Sequence, residues 1–181
     1  AQLSIPFGII FSKLFKLGDL SEIGSGNIGA TNVLRTGNKF AAFLTLFLDG
    51  FKGFLAVYIF YSFLGLTAAQ FSSIFVFLGH LLPIFNKFKG GKGVATFLGI
   101  IMALNFWLFF YSGLIWLILA FLFKRSSLSS LFSSSFTLIL AFPLGLENNF
   151  WVLILLFIGI FVSHRTNIVR LFNGLEPKIG E

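Results

Sequence analysis

Two stretches dense in glycine and short polar side chains interrupt an otherwise apolar chain. The first is Gly24-Ser25-Gly26-Asn27-Ile28-Gly29-Ala30-Thr31-Asn32-Val33-Leu34-Arg35. Its glycines let backbone N–H groups crowd around an anion. Ser25, Asn27, Thr31 and Asn32 add neutral hydrogen-bonding groups, and Arg35 supplies a planar fork that suits phosphate. The second is Phe88-Lys89-Gly90-Gly91-Lys92-Gly93-Val94-Ala95-Thr96. Here Gly90, Gly91 and Gly93, with Lys89 and Lys92, precede an apolar helix, so amide donors and a cation can seat a phosphate at a helix N-terminus. A basic turn with flexible glycines is the plainer alternative. A third stretch runs from His164 to Lys178. His164 and Asn167, three apart, share a helix face. His164 is suited either to proton transfer near neutral pH or to a structural hydrogen bond.

Other chemistries are excluded by spacing or composition. Residues 24–29 spell G-x-G-x-x-G, and Asp49 follows Gly29 by 20 residues. A dinucleotide site needs a strand before those glycines and an acidic residue in a soluble sheet, whereas Asp49 lies in an apolar run. The second stretch lacks G-x-x-x-x-G-K-[ST], so no ATP-type loop is present. Cysteine is absent and there are two histidines, His80 and His164, which leaves no expected metal site and no thiol nucleophile. Neither histidine heads an H-x-x-x-x-D motif, since Phe85 and Val169 stand at that offset.

The elements that must position these loops are membrane helices. The chain has 181 residues, 57% hydrophobic and only 10% charged, with 28 phenylalanines, and a mean hydropathy of +0.97. Soluble domains carry roughly 25% charged residues. Apolar runs fall at 1–15, 41–64, 67–86, 93–105, 106–123, 127–145 and 149–163. They imply an all-α, polytopic integral membrane protein with about seven spans, forming one domain over 1–181. The first run is short for a span that needs roughly 20 residues, so some apolar residues are expected to be missing before Ala1. The serine-rich sixth run implies close helix packing. Ile168, Leu171, Phe172 and Leu175 recur as an amphipathic helix along the membrane surface.

Charge orients the bundle. Twelve of the 13 basic residues follow the first, third, fifth and seventh runs. The positive-inside rule makes that side cytoplasmic, with the N-terminus outside and the C-terminus inside. The net charge of +7 therefore reflects orientation and anionic lipid rather than nucleic acid. The exception is Lys52, which at i,i+3 from Asp49 can pair with it inside the second run. His80, before Pro83, is expected to be structural.

Taken together, the three stretches resemble one family, the acyl-phosphate:glycerol-3-phosphate acyltransferases of bacterial membranes. The likeness is carried by residues 24–35, by 79–96, and by His164-Arg165, Asn167-Ile168 and Glu176. Residues 4–8 and Asp49, Lys52 and Gly53 add to it. The resemblance implies an enzyme of the inner membrane, its active site facing the cytoplasm, with no cofactor. It would move a fatty acyl group from acyl phosphate to the 1-hydroxyl of glycerol 3-phosphate, giving lysophosphatidic acid. It would place catalytic roles on Ser25, Arg35, Lys92, His164 and Asn167. Glycerol 3-phosphate binding would fall to Gly90, Gly91 and Gly93 and a structural role to Glu176, while the loop chemistry itself adds Gly24, Gly26, Asn27, Thr31, Asn32 and Lys89 as substrate-binding candidates. A transporter or binding protein for a phosphate-bearing solute is the alternative, against which stand glycine-rich breaks on one face and no internal repeat.

Overall fold

The computed structural model describes residues 5–86 and 90–180. Lys89 therefore lies outside the described residues. Among the described residues the chain is helical and has no strand. The helices are α1 (Phe7–Leu14), α2 (Ala30–Leu34), α3 (Lys39–Leu81), α4 (Val94–Leu104), α5 (Phe106–Phe123), α6 (Ser126–Ala141), α7 (Phe150–Ser163) and α8 (Arg165–Phe172).

Helix α3 is a hairpin. Gly65 sits at φ 81°, ψ −173°, a conformation open only to glycine. The chain reverses there, so residues 39–64 and 66–81 run back against each other. The proof is a contact: Lys52 Nζ lies 2.8 Å from His80 Nδ1, whereas 28 residues of straight helix would separate them by about 42 Å. The two arms match the apolar runs 41–64 and 67–86, but the second stops at Leu81. Leu82 precedes Pro83, which disfavours helical backbone. Asn105 ends α4 and starts α5, its side chain accepting from Leu108 N at 2.9 Å.

By length and composition, Lys39–Leu81 and Phe106–Phe123 suffice to cross a membrane, and Glu147–Ser163 with Arg165–Phe172, bent by 60°, is a further candidate. Helix α4 has 11 residues and α1 has eight, both short of a full crossing. The interior joins α3, α4, α5, α6 and α7 through Val57, Val76, Ile100, Leu108, Leu131 and Val152. Outside, Phe63 and Phe121 are 81% and 83% exposed, a surface whose natural solvent is lipid.

The serines of α6 pack helices, as the sequence implied. Ser133 Oγ donates to Ser112 O at 2.7 Å, and Trp116 Nε1 donates to Ser130 Oγ at 3.0 Å, locking α5 to α6. Helices α3 and α4 meet where Thr96 Oγ1 donates to Asp49 O at 3.0 Å.

Replacing Gly65 by Val is expected to destabilise the fold by about 1–3 kcal/mol, the cost of a disallowed backbone conformation. Replacing Gly113, which lies in open space within α5, by Ala is expected to be neutral or to stabilise by up to about 1 kcal/mol. Thermal unfolding in detergent checks both.

Candidate active site

Asn32 organises the first loop. It is buried on α2, and its Nδ2 donates to Leu20 O at 2.8 Å, pinning the chain before the glycines. Its Oδ1 accepts from Ser25 N at 3.1 Å and from Arg35 Nη1 at 3.3 Å. Ser25 Oγ lies 3.4 Å from that oxygen and 3.5 Å from Arg35 Nη1, long contacts for a hydroxyl. Gly24 sits against the Arg35 side chain and Asn32 Oδ1, with no room for a Cβ. Thr31 Oγ1 is 3.1 Å from Ser126 Oγ, tying α2 to α6. Arg35 Nη2 reaches Lys178 O at 3.1 Å. Burial lowers the Arg35 guanidinium from its ordinary value; Glu176 opposes this and Arg170 adds to it.

The glycines of the second loop are explained first by closeness. Backbone at Gly90 presses on the carbonyls of His80 and Leu81, and Gly91 on the His80 ring, so a Cβ at either would collide. Gly91 N donates to His80 O at 3.3 Å. Gly93, at φ 81°, starts α4 against Phe77. Lys92 is tied to α7, its carbonyl accepting from Ser163 Oγ at 3.1 Å. Burial pushes the Lys92 ammonium down to about 8; Glu176 raises it, and the charges of Arg170 and Arg35 lower it further.

The third cluster turns about Glu176. Helix α8 ends at Phe172 in a Schellman turn: Gly174, at φ 71°, donates to Leu171 O at 3.2 Å, and Leu175 N donates to Arg170 O at 2.8 Å. The chain is thereby sent back over the helix instead of continuing it through Leu175. Glu176 then accepts from Asn167 Nδ2 at 2.6 Å, Ser127 Oγ at 2.7 Å and Arg170 Nε at 2.9 Å. Burial raises this carboxyl, but hydrogen bonds from Arg170, Ser127 and Asn167 outweigh it and hold the group below the ordinary glutamate value. Asn167 Oδ1 is buried with no partner among the described residues. His164 is 2% exposed at the α7–α8 junction. Its Nδ1 lies 2.8 Å from Ile160 O. A carbonyl only accepts, so Nδ1 carries the proton and Nε2 the lone pair. Burial, and next the Lys92 charge, bring the His164 imidazole down to about 4.

The two glycine loops and the α7–α8 junction border an open cavity of about 720 Å³, well within the range of small-molecule sites. Its polar end is formed by Ser25, Gly26, Asn27, Gly90, Gly91, Lys92, Ser163, Arg165 and Thr166. Its other wall is aliphatic, from Ile74, Leu78, Leu155, Ile158 and Val162. Of the residues singled out from sequence, Gly24, Thr31, Asn32, Arg35, Gly93, His164 and Asn167 are not among its lining residues. Sequence reasoning gave no site role to Ser163, Arg165 and Thr166, which line the cavity, or to Ser127 and Arg170, which bond to Glu176. Ser127 could have been suspected only as one serine among many.

A family model described as glycerol-3-phosphate acyltransferase matches residues 3–174. A glycerol-3-phosphate acyltransferase of Jannaschia sp. is 52% identical over 178 residues, covering 98% of this chain and 88% of that protein. Another, of Dinoroseobacter shibae, is 51% identical over 98% of this chain and 87% of that one. The crystal structure of PlsY (YgiH), an integral membrane glycerol 3-phosphate acyltransferase, in its glycerol 3-phosphate form, superposes with a TM-score of 0.93 at 38% identity, covering 98% of this chain and 90% of that one. Its lysophosphatidic acid form gives 0.89 at 37% identity, over 97% and 89%.

A carboxyl held below its ordinary value stabilises the fold above that value, and the contribution disappears as pH falls through the folded-state value. Glu176→Gln is therefore expected to cost about 2 kcal/mol at neutral pH, the worth of charge-assisted hydrogen bonds. The gap between variant and parent should close as pH falls below the ordinary 4.5. Melting temperatures across that range check it.

Proposed function

The chain belongs to the glycerol-3-phosphate acyltransferase family, and from that premise we infer that it transfers a fatty acyl group from acyl phosphate to the 1-hydroxyl of glycerol 3-phosphate. The products are lysophosphatidic acid and inorganic phosphate. The observation that carries this reading is the two-ended cavity: cationic and amide-rich at one end, aliphatic at the other. Two phosphates suit the first end and an acyl chain the second.

Lys92 and the backbone of the glycine loops line the cavity and hold the phosphates, and Arg35, 3.5 Å from the Ser25 hydroxyl, adds its charge beside them, so that together they gather charge that develops in the transition state. The glycerol oxygen bonds to the acyl carbon, and the bond from that carbon to the phosphate oxygen breaks. The electron pair leaves with phosphate, and the hydroxyl proton finishes there too. Nε2 of His164, neutral and unprotonated, is the intermediate acceptor. Its free-enzyme value near 4 makes it a poor proton store beside phosphate, whose second pKa is about 6 in its monoesters. Ser25 has no base beside it among the described residues; its hydroxyl neighbours are Asn32 Oδ1 and Arg35 Nη1. Direct attack is therefore favoured over an acyl-enzyme. Asn167 Oδ1, buried and without a partner among the described residues, is suited to accept from a substrate hydroxyl that reaches it.

In this reading the protein is one integral membrane domain of seven spans in the bacterial inner membrane, with its N-terminus outside. The hairpin arms count as two spans, α1 and α4 to α7 as the others. The cavity faces the cytoplasm, supported by the basic residues on that side. Helix α8 lies on the membrane surface with Phe172 and the following Leu175 turned outward, 87% and 71% exposed.

Purified protein is expected to release phosphate from palmitoyl phosphate only when glycerol 3-phosphate is present, and to be inactive with acyl-CoA. Activity with the CoA donor alone contradicts the reading. Arg35→Ala should lower kcat/KM by roughly 10²- to 10³-fold with folding retained, the scale of losing one charge-stabilising donor. Because Lys92 is charged only below about 8, kcat/KM for glycerol 3-phosphate should fall as pH rises through that value. Lys92→Arg, still charged there, should lose this alkaline limb.

A further inference from the structure

Three ionisable side chains lie sealed within the α3 hairpin, away from the cavity wall. Asp49, Lys52 and His80 are 3%, 9% and 6% exposed. A lysine ammonium has three protons to donate. Lys52 Nζ has three acceptors: Asp49 Oδ1 at 2.7 Å, Ile5 O at 2.9 Å and His80 Nδ1 at 2.8 Å. His80 Nδ1 is 3.5 Å from Asp49 Oδ1, too far for a good bond and consistent with two acceptors sharing one ammonium. Nδ1 must then be the lone-pair nitrogen, which puts the imidazole proton on Nε2. Nε2 is the His80 atom that meets the backbone of Gly91, the point a Cβ would strike first. No described residue accepts from it. On its far side Gly91 borders the cavity, next to Lys92.

The network thus connects distant parts of the chain. Lys52 fixes Ile5 before α1, the Asp49 carbonyl receives Thr96 of α4, and the His80 carbonyl receives Gly91 N. The last of these contacts meets the backbone next to Lys92, and the second fixes the first turn of the helix that follows it.

We propose that His80 is a positioning residue for the phosphate-holding loop: Nδ1 takes the third proton of Lys52, and Nε2–H, oriented by that bond, backs the Gly91 backbone and sets where Lys92 stands in the cavity. Buried ion pairs are costly to keep unless geometry satisfies each donor. Here the satisfied donors turn one imidazole edge toward the loop. The geometry stands apart from the reaction; only the kinetic readout rests on the acyltransferase reading.

The chain has two histidines, and the structure assigns them opposite neutral tautomers. Nitrogen-15 spectra of histidine-labelled wild-type protein at neutral pH should give Nδ1–H for His164 and Nε2–H for His80, the two distinguished by His80→Asn. An Nδ1–H or doubly protonated His80 overturns the proposal. In His80→Asn the amide oxygen can still accept from Lys52, but nothing occupies the Nε2 position. That variant should melt like the parent, with KM for glycerol 3-phosphate raised about tenfold and kcat and KM for acyl phosphate within about twofold. Unchanged KM, or all constants falling together, overturns it. His80→Gln, whose amide nitrogen reaches the Nε2 position, should restore part of the lost affinity for glycerol 3-phosphate; no restoration counts against a role for that edge. Wild-type turnover with acyl phosphate is measured beside these, so failure of the reaction itself is distinguishable from failure of the positioning role.

Discussion

The site depends on crowding of positive charge around one carboxylate. Burial is the main cause that lowers Arg35 and Lys92 from their ordinary values, and the charge of Arg170 adds to it in both. Glu176 opposes this but cannot neutralise all three. Partial removal from water strengthens the repulsion, because the same charges interact more strongly in a lower effective dielectric. A pocket with such an excess of positive charge is suited to an anion such as phosphate.

That arrangement has two supports of different kind. Glu176 is reached through a turn after α8 and satisfied from α6 and α8, so it binds the last segment of the chain to the bundle. The Asp49–Lys52–His80 cluster is reached through the reversal at Gly65 and lies inside the hairpin. One holds the cationic side of the site from the α6–α8 side, the other packs against the Gly90–Gly91 backbone from within the hairpin. His164 has its proton committed to Ile160 O, so its free nitrogen is set by backbone geometry rather than by an acidic partner.

Much of this could be read from residue order. The pairing of Asp49 with Lys52 at i,i+3 forms at 2.7 Å, because such spacing is fixed within one helix. The gathering of the three loops was also implied, since charge placed them on one side. What the sequence could not carry is which nonlocal partner each group would find. His80 was expected to be structural, and nothing in Leu78-Gly79-His80-Leu81 signals that its ring meets Lys52 from 28 residues away. The glycines at 90, 91 and 93 read as an anion cradle from their type alone; their closeness to His80, Leu81 and Phe77 emerged only from packing. The aliphatic wall was invisible for a simpler reason. In a chain so rich in Leu, Ile and Phe, no local pattern separates a residue facing a cavity from one facing lipid or the core.

The central claim is that one cavity receives both phosphates at its polar end and the acyl chain along its aliphatic wall. A structure determined with glycerol 3-phosphate and a non-transferable acyl phosphonate bound together tests it most directly. The account expects both phosphorus atoms between the Ser25 loop, the Gly90–Lys92 loop and the Ser163–Thr166 segment, with the chain beside Leu78, Leu155 and Ile158. Phosphorus atoms in separate sites, or an acyl chain lying away from that wall, would contradict it.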